Sequence, residues 1–233
     1  LLVLKNDKDL YRIGNTTHDL MGFTIDSKDP LTFYASGHPS SGGNSGFQKT
    51  TDGGETWNKV SDGIDGPVDF HAMTVSPANS DIIYGYFYSK IQKSVDGGET
   101  WTILTSQPES IFSLVADNVD AQTVYANTKQ GTWISTDGGG NWSSLSNDLV
   151  TSAVLTLVQN PQDPAQMLSF SDTLGLASSN DAGKTWTSVS GAPNAIFYFM
   201  TYSSTDPKLV YAIDKENEIY KSQDSGLSWQ KIY

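Results

Sequence analysis

The stretch Ser94 to Trp101 reads SVDGGETW, and it returns four more times with small changes: TTDGGETW over residues 50–57, STDGGGNW over 135–142, SNDAGKTW over 179–186 and SQDSGLSW over 222–229. The five closing tryptophans, Trp57, Trp101, Trp142, Trp186 and Trp229, stand 44, 41, 44 and 43 residues apart. That period is the length of one four-stranded propeller blade. A second landmark keeps step with the first. Phe33-Tyr34-Ala35, Ile83-Tyr84-Gly85, Val124-Tyr125-Ala126 and Val210-Tyr211-Ala212 recur once per period, with Met167-Leu168-Ser169 as a divergent fifth copy. Each follows an Asp, Asn or Pro turn and leads into further alternating apolar residues. The unit therefore reads as strand A, Asp/Pro turn, strand B, loop, strand C, Asp-Gly turn, strand D.

This reading predicts an all-β fold, a β-propeller of four-stranded antiparallel blades, as a single domain over residues 1–233. Five blades are expected over about 18–60, 61–104, 105–145, 146–189 and 190–233. Residues 1–17 fit the end of another blade, with strand C over Leu1–Asn6, a turn over Asp7–Asp9 and strand D over Leu10–Gly14. Five blades and this part predict a ring of six, with seven as the alternative. The chain opens on Leu1 without a methionine, so a preceding segment, signal sequence included, is expected upstream.

Within the repeated octapeptide, glycine supplies the positive φ that a tight turn demands. The aspartates Asp52, Asp96, Asp137, Asp181 and Asp224 are placed to accept hydrogen bonds from the turn's own amides, and the tryptophans to pack between sheets. Catalysis needs unlike groups converging once, whereas a set repeated around a ring does one job many times. The repeated carboxylates are accordingly structural.

The pattern S/T-x-D-x-G-x-x-W resembles the Asp-box, or BNR, repeat of sialidases, xyloglucanase-type glycoside hydrolases, sortilin-type receptors and photosystem II assembly propellers. In feel it is similar to bacterial BNR-repeat proteins that are glycosyl hydrolase-like. The resemblance implies that the boxes are structural and that function lies on the opposite face, around the channel mouth. It does not extend to sialidase activity, because those enzymes clamp a carboxylate with three arginines and this chain has only Arg12.

Composition narrows the chemistry further. Twenty-six acidic against fourteen basic residues give a net charge of −12, which repels nucleic acid and anionic membranes. The absence of cysteine excludes disulfides, thiolate nucleophiles and Cys-ligated metals. The longest apolar run, Ala195–Met200, is too short to span a bilayer. A monomer in the bacterial cell envelope or secreted space is expected.

Topology puts the A–B and C–D turns on one face and the D–A and B–C loops on the other. All three histidines, His18, His38 and His71, map to that second face and to two neighbouring blades. Alignment on Tyr34 and Tyr84 puts Asp19 opposite Asp69 and Met21 opposite His71. The loop bearing His38 is about six residues longer than its counterparts, since Tyr34 to Asp52 spans 18 positions against 12 or 13 elsewhere. Later blades carry bland residues at the matching places.

Three readings of this cluster stand side by side. His18, His38 and His71 with Asp19 or Asp69 could hold a transition metal, copper or zinc, with the thioethers Met21 and Met73 tilting toward copper. Asp19 and Asp69 could act as the paired carboxylates of a small glycoside hydrolase, with Phe70, Phe112, Phe197 and Tyr198 as a sugar platform. Or His18 and His71 donate hydrogen bonds to Asp19 and Asp69 and cap the channel. The expected function is a non-catalytic binding or assembly platform for a metal, a glycan or a protein partner.

Overall fold

The computed structural model describes residues 1–14 and 18–233; the last three residues of the expected partial blade lie outside them. Every element among the described residues is a strand. The chain begins with a two-stranded antiparallel hairpin, β1 (Leu2–Lys5) and β2 (Asp9–Arg12), where strands C and D were expected over Leu1–Asn6 and Leu10–Gly14, with the second strand ending two residues sooner.

Five four-stranded sheets follow, each a meander in which chain neighbours pair. The first holds β3 (Asp19–Ile25), β4 (Phe33–His38), β5 (Phe47–Thr50) and β6 (Asn58–Ser61), and the second β7 (Ala72–Val75), β8 (Ile83–Phe87), β9 (Lys90–Ser94) and β10 (Thr102–Ile103). The third holds β11 (Ile111–Ala116), β12 (Val124–Thr128), β13 (Gly131–Ser135) and β14 (Ser143–Ser144). The fourth holds β15 (Val154–Gln159), β16 (Met167–Ser171), β17 (Gly175–Ser179) and β18 (Thr187–Ser188). The fifth holds β19 (Phe197–Tyr202), β20 (Val210–Asp214), β21 (Ile219–Ser222) and β22 (Gln230–Lys231). These are the five blades that the tryptophan period predicts. The second strands β4, β12 and β16 are buried along nearly their whole length, and for that reason they read as mostly apolar or small residues rather than as clean alternation.

The contacts gather into two compact units, one of Leu1–Gln107, Leu114–Val124 and Ser135–Asn141, the other of Pro108–Ser113, Tyr125–Ile134 and Trp142–Tyr233. In the first, a core of Tyr34, Phe47, Val68, Phe70, Met73, Val75 and Ile83 joins the first two sheets, and Trp101 packs against it. The Trp101 ring meets Phe47 at 5.2 Å and Phe70 at 5.0 Å between centroids, so this tryptophan does lie between sheets. Its Nε1 donates to Ser61 Oγ and to the Gly98 carbonyl. In the second unit, Leu168, Phe170, Phe197, Met200, Tyr202 and Tyr220 are part of an equivalent core with Trp229 against it.

The repeated turns are closed by their own side chains. In the first, Thr50 Oγ1 donates to Asp52 Oδ1 at 2.6 Å and accepts the Gly54 amide at 3.1 Å. Asp52 then accepts the Thr56 amide on Oδ1 and the Thr56 hydroxyl on Oδ2. The same arrangement recurs at Asp96, Asp137, Asp181 and Asp224. Hydrogen bonds to the ionised form favour it. Hydroxyl donation from Thr50 and Thr56 holds the Asp52 carboxyl down at about 2, and Asp96, Asp137 and Asp181 reach about 2 through the donors of their own turns.

Closing the turn in this way presses its second glycine against the preceding sheet. A methyl group on Gly98 would lie 2.1 Å from the Phe47 ring, at a φ of +91°. Only glycine meets both demands.

Two predictions follow from these turns. Because four aspartates have folded pKa values depressed to about 2 from the ordinary aspartate value of 3.8, the stability they contribute is complete above the unfolded value and lost as pH falls through the folded one. Chemical denaturation from pH 5 to pH 2 should show stability holding to about pH 4 and falling below it, and Asp→Asn changes in these four turns should flatten that acid limb. Gly98→Ala should destabilise by about 1–3 kcal/mol from overpacking, added to its backbone strain. Gly66→Ala, at a φ of +103° but in open space, should show the backbone part alone; equal losses in urea melts of the two variants would show that Phe47 yields without cost.

Candidate functional site

Asp69 and His71 lie in the segment Val68-Asp69-Phe70-His71 that runs into β7. In extended chain, residues two apart share a face, so Asp69 and His71 stand side by side while Val68 and Phe70 point into the core, both 0% exposed. The segment is tied at its middle by one buried hydroxyl: Ser36 Oγ donates to the Val68 carbonyl at 3.0 Å and accepts the Phe70 amide at 2.9 Å. Two glycines permit the close approach. A methyl group on Gly22 would lie 2.5 Å from the Phe70 carbonyl oxygen, and one on Gly37 would lie 1.8 Å from that of Asp19. The carboxylate between these anchors is 1% exposed.

His38 closes β4 and reaches the same carboxylate from the neighbouring sheet. Its Nε2 is 2.7 Å from Asp69 Oδ2, and the Nε2 of His71 is 2.8 Å from the same oxygen. One donor atom from each of the three residues falls within 4.8 Å of the others. The two imidazoles are half-exposed, with side-chain exposures of 45% and 62%. Asp69 Oδ1 is buried with no hydrogen-bond partner among the described residues. The site is a rigid buried carboxylate capped by two rings that open to solvent.

The hydrogen bonding of His38 constrains the chemistry. Its Nδ1 lies 3.2 Å from the Gly43 carbonyl and its Nε2 2.7 Å from an Asp69 oxygen, so the ring faces an acceptor on each side, while a neutral imidazole carries a single N–H. A positive charge on Nε2, either a second proton or a metal ion, removes that conflict.

Of the other expected site residues, Asp19 begins β3 directly across from His38 in register, and it is exposed. His18 precedes it, half-buried. Neither belongs to the three-residue group. Met21 is 47% exposed on β3, whereas Met73 is 8% exposed and packed in the first unit's core, so that thioether is committed to packing. Of the expected sugar platform, Phe70 and Phe197 are 0% exposed and are core residues, while Phe112 and Tyr198 are 45% and 56% exposed.

The sequence reading did not single out Ser36, Gly43 or Asn44. Ser36 stands at a position that holds Tyr86, Asn127, Phe170 and Ile213 in the later blades, so no repeat marked it out. The contribution of Gly43 is a backbone carbonyl, which leaves no trace in residue type.

Comparison with known proteins bears on the fold. No protein-family profile and no curated protein sequence matches this chain. Among solved structures it is similar to a GH74 enzyme of Niastella koreensis (TM-score 0.66, 18% identity, 91% of this chain and 38% of that one). It is also similar to the GH74 xyloglucanase from Xanthomonas campestris (TM-score 0.60, 13% identity, 94% and 46%). A third similar structure is YCF48 bound to D1 peptide (TM-score 0.58, 14% identity, 94% and 84%). The chain thus spans less than half the length of either GH74 enzyme. At these identities the likeness is one of fold, and it agrees with the sheets described above: the chain is built of the four-stranded antiparallel blades of a β-propeller.

Proposed function

We propose that this protein is a binding platform whose His38, Asp69 and His71 hold a divalent transition metal. The observation that carries the reading is the convergence of two imidazole Nε2 atoms on one oxygen of a carboxylate that is 1% exposed. A single cation among the three would neutralise the buried charge and accept both lone pairs at once, whereas a buried charge left uncompensated is costly. Around a tetrahedral ion with bonds of about 2.0–2.1 Å, neighbouring ligand atoms sit roughly 3.3 Å apart. The two Nε2–Oδ2 distances, 2.7 and 2.8 Å, fall about half an ångström short of that spacing, and all three atoms lie within 4.8 Å of one another.

The donor set is two nitrogens and one oxygen, without a thioether from Met73. That combination suits a borderline ion such as zinc better than cuprous copper. Three protein ligands and two solvent-facing rings leave a position for an outside ligand, which is what a platform for a small molecule or a protein partner needs. YCF48, a neighbour in fold, is seen bound to a peptide, and docking of a protein partner on this face belongs to the same reading.

A glycoside hydrolase using Asp19 and Asp69 is the second reading. It is favoured by the placing of both residues beside His38, one as its partner in register and one as its hydrogen-bond partner. Against it stands the burial of Asp69 beneath two rings, which leaves the carboxylate no open face toward a sugar.

Elemental analysis and titration with zinc and cobalt test the proposal. One ion per chain is expected, lost in a His38→Ala, His71→Ala double variant. Metal at 100 times its dissociation constant should stabilise the wild type by about 2.7 kcal/mol in thermal melts and leave the double variant unmoved. No bound metal in the wild type would return the cluster to a proton-held cap. Xyloglucan hydrolysis that disappears in Asp19→Asn and Asp69→Asn would move the conclusion to the second reading.

A further inference from the structure

We infer that the β4–β5 loop, residues 39–46, decides which nitrogen of His38 faces the metal, with Asn44 as the positioning residue. This inference rests on the metal reading above.

The loop accounts for the extra length between Tyr34 and the turn at Asp52, so its contacts are what the insertion adds to the blade. Pro39 and Gly42 close a turn, the Gly42 amide donating to the Pro39 carbonyl at 2.9 Å. Gly42 and Gly43 both have positive φ, +85° and +81°, and a methyl group on either would meet nothing within 4 Å. Packing does not demand glycine there, but the direction of the backbone does. That direction aims the Gly43 carbonyl at His38 Nδ1, 3.2 Å away.

The same loop is fastened to both arms of the site. Asn44 Nδ2 donates to the Pro67 carbonyl at 2.9 Å, two residues before Asp69. The Ser45 amide donates to the Gly37 carbonyl at 2.7 Å, next to His38, and the Gly46 amide to the Val68 carbonyl at 3.0 Å, next to Asp69. Asn44 is the one side chain in this set, and it sits directly after the two glycines whose carbonyl must stay aimed.

Imidazoles that bind metals commonly give their other N–H to a backbone carbonyl, which fixes ring orientation and presents a single nitrogen. Here the Gly43 carbonyl holds the hydrogen on Nδ1 and leaves the lone pair on Nε2, the atom facing Asp69. Without the Asn44 anchor only backbone hydrogen bonds on either side hold the diglycine, its carbonyl is less firmly aimed, and His38 can present either nitrogen.

The test compares wild type with Asn44→Ala in zinc titration and in long-range proton–nitrogen spectra of the histidine rings. In the zinc-loaded wild type, His38 should appear as one species with its hydrogen on Nδ1. In the variant, zinc should still bind at one ion per chain but about 10–100-fold more weakly, with His38 signals split between two ring forms. Wild-type His38 carrying its hydrogen on Nε2 in the zinc complex would overturn the inference whether or not the variant folds. Unchanged affinity and ring signals in a folded variant would also overturn it while leaving the metal reading intact. Absence of zinc from the wild type would instead remove the metal reading itself, and the inference with it.

Discussion

The structure depends on a small polar clasp made five times over. A serine or threonine hydroxyl donates to an aspartate two residues on and accepts an amide four residues on, while that aspartate accepts the amide and hydroxyl or amide side chain at the turn's far side. Because the turn satisfies its own donors, its second glycine can be pressed bare against a neighbouring apolar side chain: Phe47 at Gly98, Leu104 at Gly139, Leu145 at Gly183 and Leu168 at Gly226. Buried backbone groups are thus hydrogen-bonded where the chain reverses, and the sheet-to-sheet contact is tight where it would otherwise be a loop. The carboxylates are ionised under nearly all conditions, as structural acceptors should be and as acids in catalysis generally are not.

The candidate site, by contrast, is made by residues outside the repeated octapeptide. Ser36 stands at a position that varies from blade to blade, and its hydroxyl holds the segment on either side of Asp69. The β4–β5 loop is longer than its counterparts, and its added length reaches both His38 and the chain before Asp69. Val68 and Phe70 spend their side chains in the core so that Asp69 and His71 have no choice of direction. The candidate site is therefore built by the same packing that joins the first two sheets, with two rings open to solvent above the buried carboxylate.

Much of this was legible in the residues. The period of the tryptophans gave the blades, and the Asp-Gly turns gave their C–D corners. The meeting of His38 with the Asp69 and His71 segment was legible from topology, since both lie on the face opposite the turns. The fates of His18, Asp19, Met21 and Met73 were not. Alignment between blades puts Asp19 level with Asp69 and Met21 level with His71, but height does not say which way a side chain points. A bulge in β3 between Leu20 and Gly22 shifts register there, and with it the face that each residue presents.

The sequence by itself determined the repeating architecture, because hydroxyl, carboxylate, glycine and tryptophan at fixed spacing have one low-energy arrangement that local hydrogen bonds can close. It also determined which blades were unlike the others. Only the tertiary structure decided that Asp69 would be buried, that two imidazoles would share one of its oxygens, and that Met73 would be spent in packing. Those outcomes turn on angstrom-scale contacts between segments more than thirty residues apart, such as Ser36 with Val68 and Phe70, and no local spacing encodes them.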